Sequence, residues 1–131
     1  MNLLSSFKKI FIMGIGGSGM SSIAKYLKQK GHDVEGYDQR ISYITNLLES
    51  DGVKTCQNLD NFRYHEDVLY IISSAINLGE TFLANYTENE NVISRPKFLE
   101  LLSEEVEILG ITGTHGKTST TALVSHIFHF N

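Results

Sequence analysis

The run Lys9-Ile10-Phe11-Ile12-Met13 passes without a break into Gly14-Ile15-Gly16-Gly17-Ser18-Gly19. A short, nearly continuous apolar run reads as a strand buried on both faces, the condition of strands in a covered parallel sheet. The glycines are spaced G-x-G-x-x-G. Ser18 to Lys30 then carries Met20, Ile23, Ala24 and Leu27 at helical spacing until Gly31 ends the pattern. A chain that leaves a buried strand through such a turn and enters an amphipathic helix is committed to a strand–turn–helix unit.

The alternation continues along the chain. His32 to Tyr37 reads as a second strand, and Ile41 to Ser50 as a helix with Ile44, Leu47 and Leu48 on one face. Val53 to Thr55 reads as a short strand, Val68 to Ile72 as a strong buried one, and Gly79 to Glu90 as a helix. Val92-Ile93 is a further short strand, and Pro96 to Leu102 a helix with its proline in the first turn. Val106 to Ile111 and Lys117 to Phe130 read as a last strand and helix. Strands that alternate with helices predict an α/β fold, a Rossmann-like parallel sheet with helices on both faces. The polar break Ser103-Glu104-Glu105 is the expected boundary between a domain over 1–104 and the opening strand, loop and helix of a second over 105–131.

Each glycine of the first loop has a task. Gly14 permits the tight turn out of the strand, Gly16 lets the backbone approach a pyrophosphate, and Gly19 lets the helix pack on the sheet. The helix then presents free N–H groups and its positive dipole end to an anion. Gly17 and Ser18 add backbone donors, and Ser18 a hydroxyl. Asp38 stands at the end of the second strand, where an acid accepts hydrogen bonds from a ribose in dinucleotide-binding folds. The alternative for these residues is plain: a glycine turn needed for packing and a solvated acid at a strand end.

A second loop, Gly113-Thr114-His115-Gly116-Lys117-Thr118-Ser119, also follows a predicted strand and opens a predicted helix. It resembles a P-loop but is shorter, because the usual spacing would need glycine where Ile111 stands. Its chemistry still suits ATP: successive backbone N–H groups form an anion nest, Lys117 reaches terminal phosphates, and the Thr118 hydroxyl can ligate Mg²⁺. Two different phosphate loops imply two phosphorylated ligands. The nearness of the second loop to Asn131 gives the expectation that this is the front part of a longer enzyme.

Composition excludes several other classes. The net charge of −4 offers no basic face for nucleic acid, and the longest apolar runs are far too short to span a membrane. Cys56 is the only cysteine, which forbids an internal disulfide and suits a reduced, cytoplasmic setting. His126 and His129 lie one helical turn apart, but no third ligand accompanies them, and they are read as ordinary helix residues.

GIGGSGMSSIA (14–24), SSAI (73–76) and GITGTHGKTSTTAL (110–123) together resemble the Mur ligases. That resemblance implies three domains, which bind in turn a UDP-sugar, ATP and an amino acid. Residues 1–104 would be the UDP-sugar-binding domain and 105–131 the start of the ATP-binding one. Gly16, Gly17, Ser18, Gly19 and Met20 would hold the diphosphate, with Gly14 in the same UDP-sugar site and Asp38, Ser73 and Ser74 on the uridine side. Gly113 to Ser119 would hold ATP, with Lys117 and Thr118 in catalytic roles and Mg²⁺ on Thr118. The implied reaction joins L-alanine to UDP-N-acetylmuramate through an acyl phosphate during peptidoglycan precursor synthesis, with 1–131 binding the UDP-sugar but not catalysing by itself. A murein-peptide recycling ligase of the same family is the nearest alternative. From a different class, an NAD(P)-dependent oxidoreductase or nucleotide-sensing domain would account for the first loop and Asp38, though not for GTHGKTST.

Overall fold

The computed structural model describes residues 3–105; the strand, phosphate loop and helix that the sequence places over 106–130 lie outside the described residues. Five strands, β1 (Lys9–Met13), β2 (Asp33–Tyr37), β3 (Lys54–Cys56), β4 (Val68–Ile72) and β5 (Val92–Ser94), form one sheet. Every pairing is parallel and the order is β3-β2-β1-β4-β5. Met13 stands opposite both Tyr37 and Ile72, so the carboxyl ends of the three central strands are level. The strand order reverses between β1 and β4, the place where open α/β sheets form a crevice.

Alternation of side chains divides the core in two. On one face Ile10, Ile12, Val34, Leu69, Ile71 and Ile93 meet the helices α1 (Ser18–Gln29), α2 (Tyr43–Ser50) and α3 (Arg95–Glu105), through Ile23, Leu27, Leu48, Phe98 and Leu102 among others. On the other face Phe11, Met13, Val68, Tyr70, Ile72 and Val92 are covered by Leu83, with Phe62, Tyr64, Ile76, Phe82 and Tyr86 packed against them. The chain runs β1–α1–β2–α2–β3 in one direction over the first face. It runs from β4 to β5 in the opposite direction over the second face. Reversing both direction and face keeps one hand throughout, the right-handed crossover of parallel sheets.

The α/β Rossmann-like sheet agrees with the sequence, and three local details differ. Helix α2 begins at Tyr43, because Ser42 and Thr45 cap it reciprocally: the Thr45 N–H donates to Ser42 Oγ (3.2 Å) and the Ser42 N–H to Thr45 Oγ1 (2.8 Å). Helix α3 begins one residue before Pro96 and carries Ser103, Glu104 and Glu105 as its last turn. The third difference is larger. The helix expected over Gly79–Glu90 is a 3-10 turn, Leu78–Glu80, followed by a chain of turns. Their bonds step back three residues: Thr81 to Leu78 (3.0 Å), Ala84 to Thr81 (3.1 Å), Tyr86 to Leu83 (2.9 Å) and Asn89 to Tyr86 (3.0 Å).

Polar side chains account for that outcome. Asn77 Oδ1 caps the 3-10 turn by accepting from the Gly79 N–H, and Thr81 Oγ1 accepts from the Leu83 N–H, both at 3.1 Å, so the Thr81 side chain takes a donor that a helical ladder would use. Phe82, Leu83 and Tyr86 still reach the sheet, and Tyr86 stacks on Tyr64 with ring centroids 3.9 Å apart. Among the described residues, this face is therefore covered by turns and aromatic rings, and no helix is long and apolar enough to cross a membrane.

Leu83 is fully buried although it lies in a segment of turns. Leu83→Ala is expected to lower unfolding free energy by about 2–5 kcal/mol, the range for a core leucine. Urea titration checks this, and a loss below about 0.5 kcal/mol would mean the segment is a surface loop.

Candidate functional site

The site grows from the turn after β1. The Tyr37 carbonyl at the end of β2 accepts from the N–H groups of both Gly14 (2.7 Å) and Ile15 (2.9 Å), which bends the chain out of the sheet. Gly14 has φ +86°, and a Cβ there would lie 2.7 Å from the Ser73 Cβ, so both conformation and space require glycine. From the other neighbour, the Ser73 N–H donates to the Met13 carbonyl at 3.0 Å, which brings the end of β4 against the same turn.

Helix α1 is capped by the backbone of Gly17 with no side-chain cap. Its first helical bond runs from the Ser21 N–H to the Gly17 carbonyl (2.8 Å). The N–H groups of Ser18, Gly19 and Met20 precede that bond, and they are the donors a helix cannot satisfy internally. Met20 buries its side chain in the core at 3% exposure, so only its backbone faces the site. Ser18 is exposed, and its carbonyl accepts from the hydroxyls of Ser21 (2.9 Å) and Ser22 (3.1 Å).

Asp38 is tied into the loop. Its Oδ2 accepts from the Gly16 N–H at 2.8 Å, and its Oδ1 from the Arg40 N–H at 3.0 Å. A Cβ on Gly16 would lie 2.7 Å from Oδ2, so glycine is needed there for the carboxylate to come so close.

Sequence reasoning gave no role to Arg95, which heads α3 just beyond β5. A Cβ on Gly19 would lie 2.8 Å from the Arg95 Cζ, so the guanidinium rests across the first turn of α1. The ion pairs among the described residues are Lys9–Glu35 and Lys97–Glu100, and neither engages Arg95. A cation beside a positive helix end is an anion-binding arrangement. The signal for it was available in principle: an arginine placed where a parallel strand ends.

Two cavities flank this centre and meet at Ser73 and Ile76. One of about 230 Å³ is bordered by Gly14, Gly17, Tyr37, Asp38, Gln39, Ser73 and Ala75. The other, about 930 Å³, is bordered by Ser73, Ser74, Asn77, Thr87, Ser94 and Arg95 together with apolar residues from β4, β5 and Leu99. The structure thus gathers Gly14, Gly16, Gly17, Ser18, Gly19, Met20, Asp38, Ser73 and Ser74 at one end of the sheet. Gly113, Thr114, His115, Gly116, Lys117, Thr118 and Ser119 lie outside the described residues. Among the described residues, no three side chains are grouped to hold a metal ion.

Comparison with known proteins gives consistent matches. The family described as "Mur ligase family, catalytic domain" matches residues 9–107. The UDP-N-acetylmuramate–L-alanine ligase of Cytophaga hutchinsonii is 34% identical over 96% of this chain and 28% of its own length. Among solved structures, the UDP-N-acetylmuramate–alanine ligase of Thermotoga maritima aligns with a TM-score of 0.60 and 25% identity, over 74% of this chain and 23% of that one. A murein peptide ligase from Psychrobacter arcticus aligns with a TM-score of 0.60 and 29% identity, over 93% of this chain and 26% of that one. The chain therefore spans less than a third of the length of these relatives.

Cys56, at the end of β3 beside the site, supplies a pH test. Burial, with help from the Glu35 carboxylate and against a backbone hydrogen bond from Asn58, pushes its thiol up to about 11. A raised value means the folded state keeps its proton while the unfolded chain loses it, so this group's contribution is complete below pH 9 and fades as pH rises towards 11. At pH 8 the native chain should hold about a hundredfold less thiolate than a free cysteine and react with iodoacetamide correspondingly slowly. Equal rates for native and urea-unfolded chain would contradict this environment.

Proposed function

This chain belongs to the Mur ligase family, and from that premise we propose that it supplies the UDP-sugar-binding part of an ATP-dependent ligase that joins L-alanine to UDP-N-acetylmuramate in the cytoplasm. The observation that carries the reading is the meeting of α1's open N–H groups and the Arg95 guanidinium over one crevice at the strand-order reversal. A diphosphate bridging those two positive groups would extend its nucleoside towards the smaller cavity and its sugar into the larger one. Backbone donors at Ser18, Gly19 and Met20 fix the phosphates, while Ser73 and Ser74 border the crevice between the two ends. The names of the curated relatives support the substrate assignment. The equally good alignment of a murein peptide ligase keeps a UDP-muramoyl substrate with a different amino partner as the second reading.

The domain boundary belongs to the same proposal. Helix α3 lies on the face used by α1 and α2. A strand that followed it and lay beyond β5 would complete a left-handed crossover, which parallel sheets almost never form. We therefore keep the boundary between 1–104 and 105–131, within one residue of the end of α3 at Glu105, with the sheet described above before it and the start of the ATP-binding domain after it. The proposal of ATP and Mg²⁺ rests on residue chemistry at Gly113–Ser119, with Lys117 neutralising charge on the transferred phosphoryl group and Thr118 holding the metal. In that reaction the muramate carboxylate takes the γ-phosphoryl group, and the amine of L-alanine then displaces phosphate to form the amide.

Calorimetric titration of the full 131-residue chain tests the reading, with UDP-N-acetylmuramate as ligand and NADH as control. Binding of the sugar nucleotide is expected, with Arg95→Ala weakening it by about tenfold to a hundredfold through loss of a charge-assisted contact. Binding of NADH alone would instead favour the oxidoreductase class.

A further inference from the structure

In dinucleotide-binding folds, the acid at the end of the second strand takes the ribose hydroxyls. Asp38 occupies that place, and each of its oxygens accepts one backbone N–H of the site, which leaves each a second lone pair but fixes how the carboxylate is turned. Oδ2 holds the Gly16 N–H at 2.8 Å, twenty-two residues away in sequence, and Oδ1 holds the Arg40 N–H at 3.0 Å. The carboxylate thus joins the loop after β1 to the loop after β2. Its own N–H donates to the Cys56 carbonyl at 3.0 Å, which anchors its backbone to β3. A Cβ at Gly16 would lie 2.7 Å from Oδ2 and 3.3 Å from the Thr45 Cγ2, so the loop is seated between Asp38 and the first turn of α2.

Two consequences follow for a ligand. The Gly16 N–H is already committed to a carboxylate and is not offered to a phosphate. A phosphate brought to Gly16 would also meet a like charge at close range, which drives it along α1 towards Gly19 and Arg95. The geometry points to Asp38 as a positioning residue: a strut that sets the glycine loop and diverts the diphosphate towards Arg95, rather than the acceptor for the ligand's ribose hydroxyls. The inference rests on the reading that a uridine diphosphate group binds in this crevice.

A chemical double-mutant cycle separates the two roles. The wild-type chain and Asp38→Ala are titrated with uridine diphosphate and with 2′,3′-dideoxyuridine diphosphate. A strut predicts that Asp38→Ala weakens both ligands by the same factor, about tenfold or more, and that the two factors agree within about twofold. A loss confined to the ribose-bearing ligand, or no loss with either, overturns the proposal. Should Asp38→Ala fail to fold, Asp38→Asn decides. Its one carboxamide oxygen accepts from the Gly16 N–H while its NH2, which only donates, replaces the oxygen on the exposed Arg40 side, so the bond to Arg40 is lost and acceptor strength for paired hydroxyls falls. An unchanged ratio of the two affinities then supports the strut, and a collapsed ratio overturns it. Amide hydrogen exchange tests the strut without ligand: Gly16 should stay protected in the wild type and Asp38→Asn and lose protection in Asp38→Ala, and equal exchange in all three contradicts it. If the wild type binds neither nucleotide, the reading of the crevice fails while the exchange result still decides the strut.

Discussion

Everything at the candidate site depends on one carbonyl. Tyr37 takes the N–H groups of both Gly14 and Ile15, so the ladder between β1 and β2 ends in a forced turn. That turn demands positive φ at Gly14, lets Ser73 approach from β4, and aims the first turn of α1 back across the carboxyl ends of the strands. Glycine provides this geometry because any side chain at position 14 would meet both backbone strain and the Ser73 Cβ. The site's positive end follows from the helix so placed, and Arg95 reinforces it from the far side of the strand-order reversal.

The two faces of the sheet are built by different means. One carries three amphipathic helices, and the other a chain of turns whose aromatic rings do the covering. Tyr64 shows how polar needs are met within that cover: its hydroxyl donates to Asn91 Oδ1 at 2.8 Å and accepts from Asn89 Nδ2 at 2.9 Å. Buried Asn91 also donates to the Val68 carbonyl at 2.8 Å, which ties the end of the turn chain to β4. No buried side-chain nitrogen or oxygen among the described residues lacks a partner, as close packing of polar groups requires.

Much of this was legible in the residues. KIFIM and VLYII lie where the sequence predicts, because strands buried on both faces leave a continuous apolar signature. The glycine loop was equally plain, since its spacing is set by backbone geometry. The segment over 79–90 was not, because Phe82, Leu83 and Tyr86 mimic one face of a helix, while the competition of the Thr81 side chain for the Leu83 N–H is decided only in three dimensions. Arg95 was missed for a related reason. Its importance comes from contact with Gly19, far away in sequence, and only the fold brings the two together. Asp38 lies beside the glycine loop, and its hydrogen bonds from Gly16 and Arg40 are set by the fold and are not written in the spacing.

The central claim is that a sugar nucleotide binds at the strand-order reversal, between α1 and Arg95. Amide chemical-shift mapping of the isotopically labelled chain on addition of UDP-N-acetylmuramate tests it most directly. The account predicts the largest shifts at Ser18, Gly19 and Met20, at Ser73 and Ser74, and at Arg95. Shifts concentrated instead at the opposite end of the sheet, around Phe7 and His32, would contradict it.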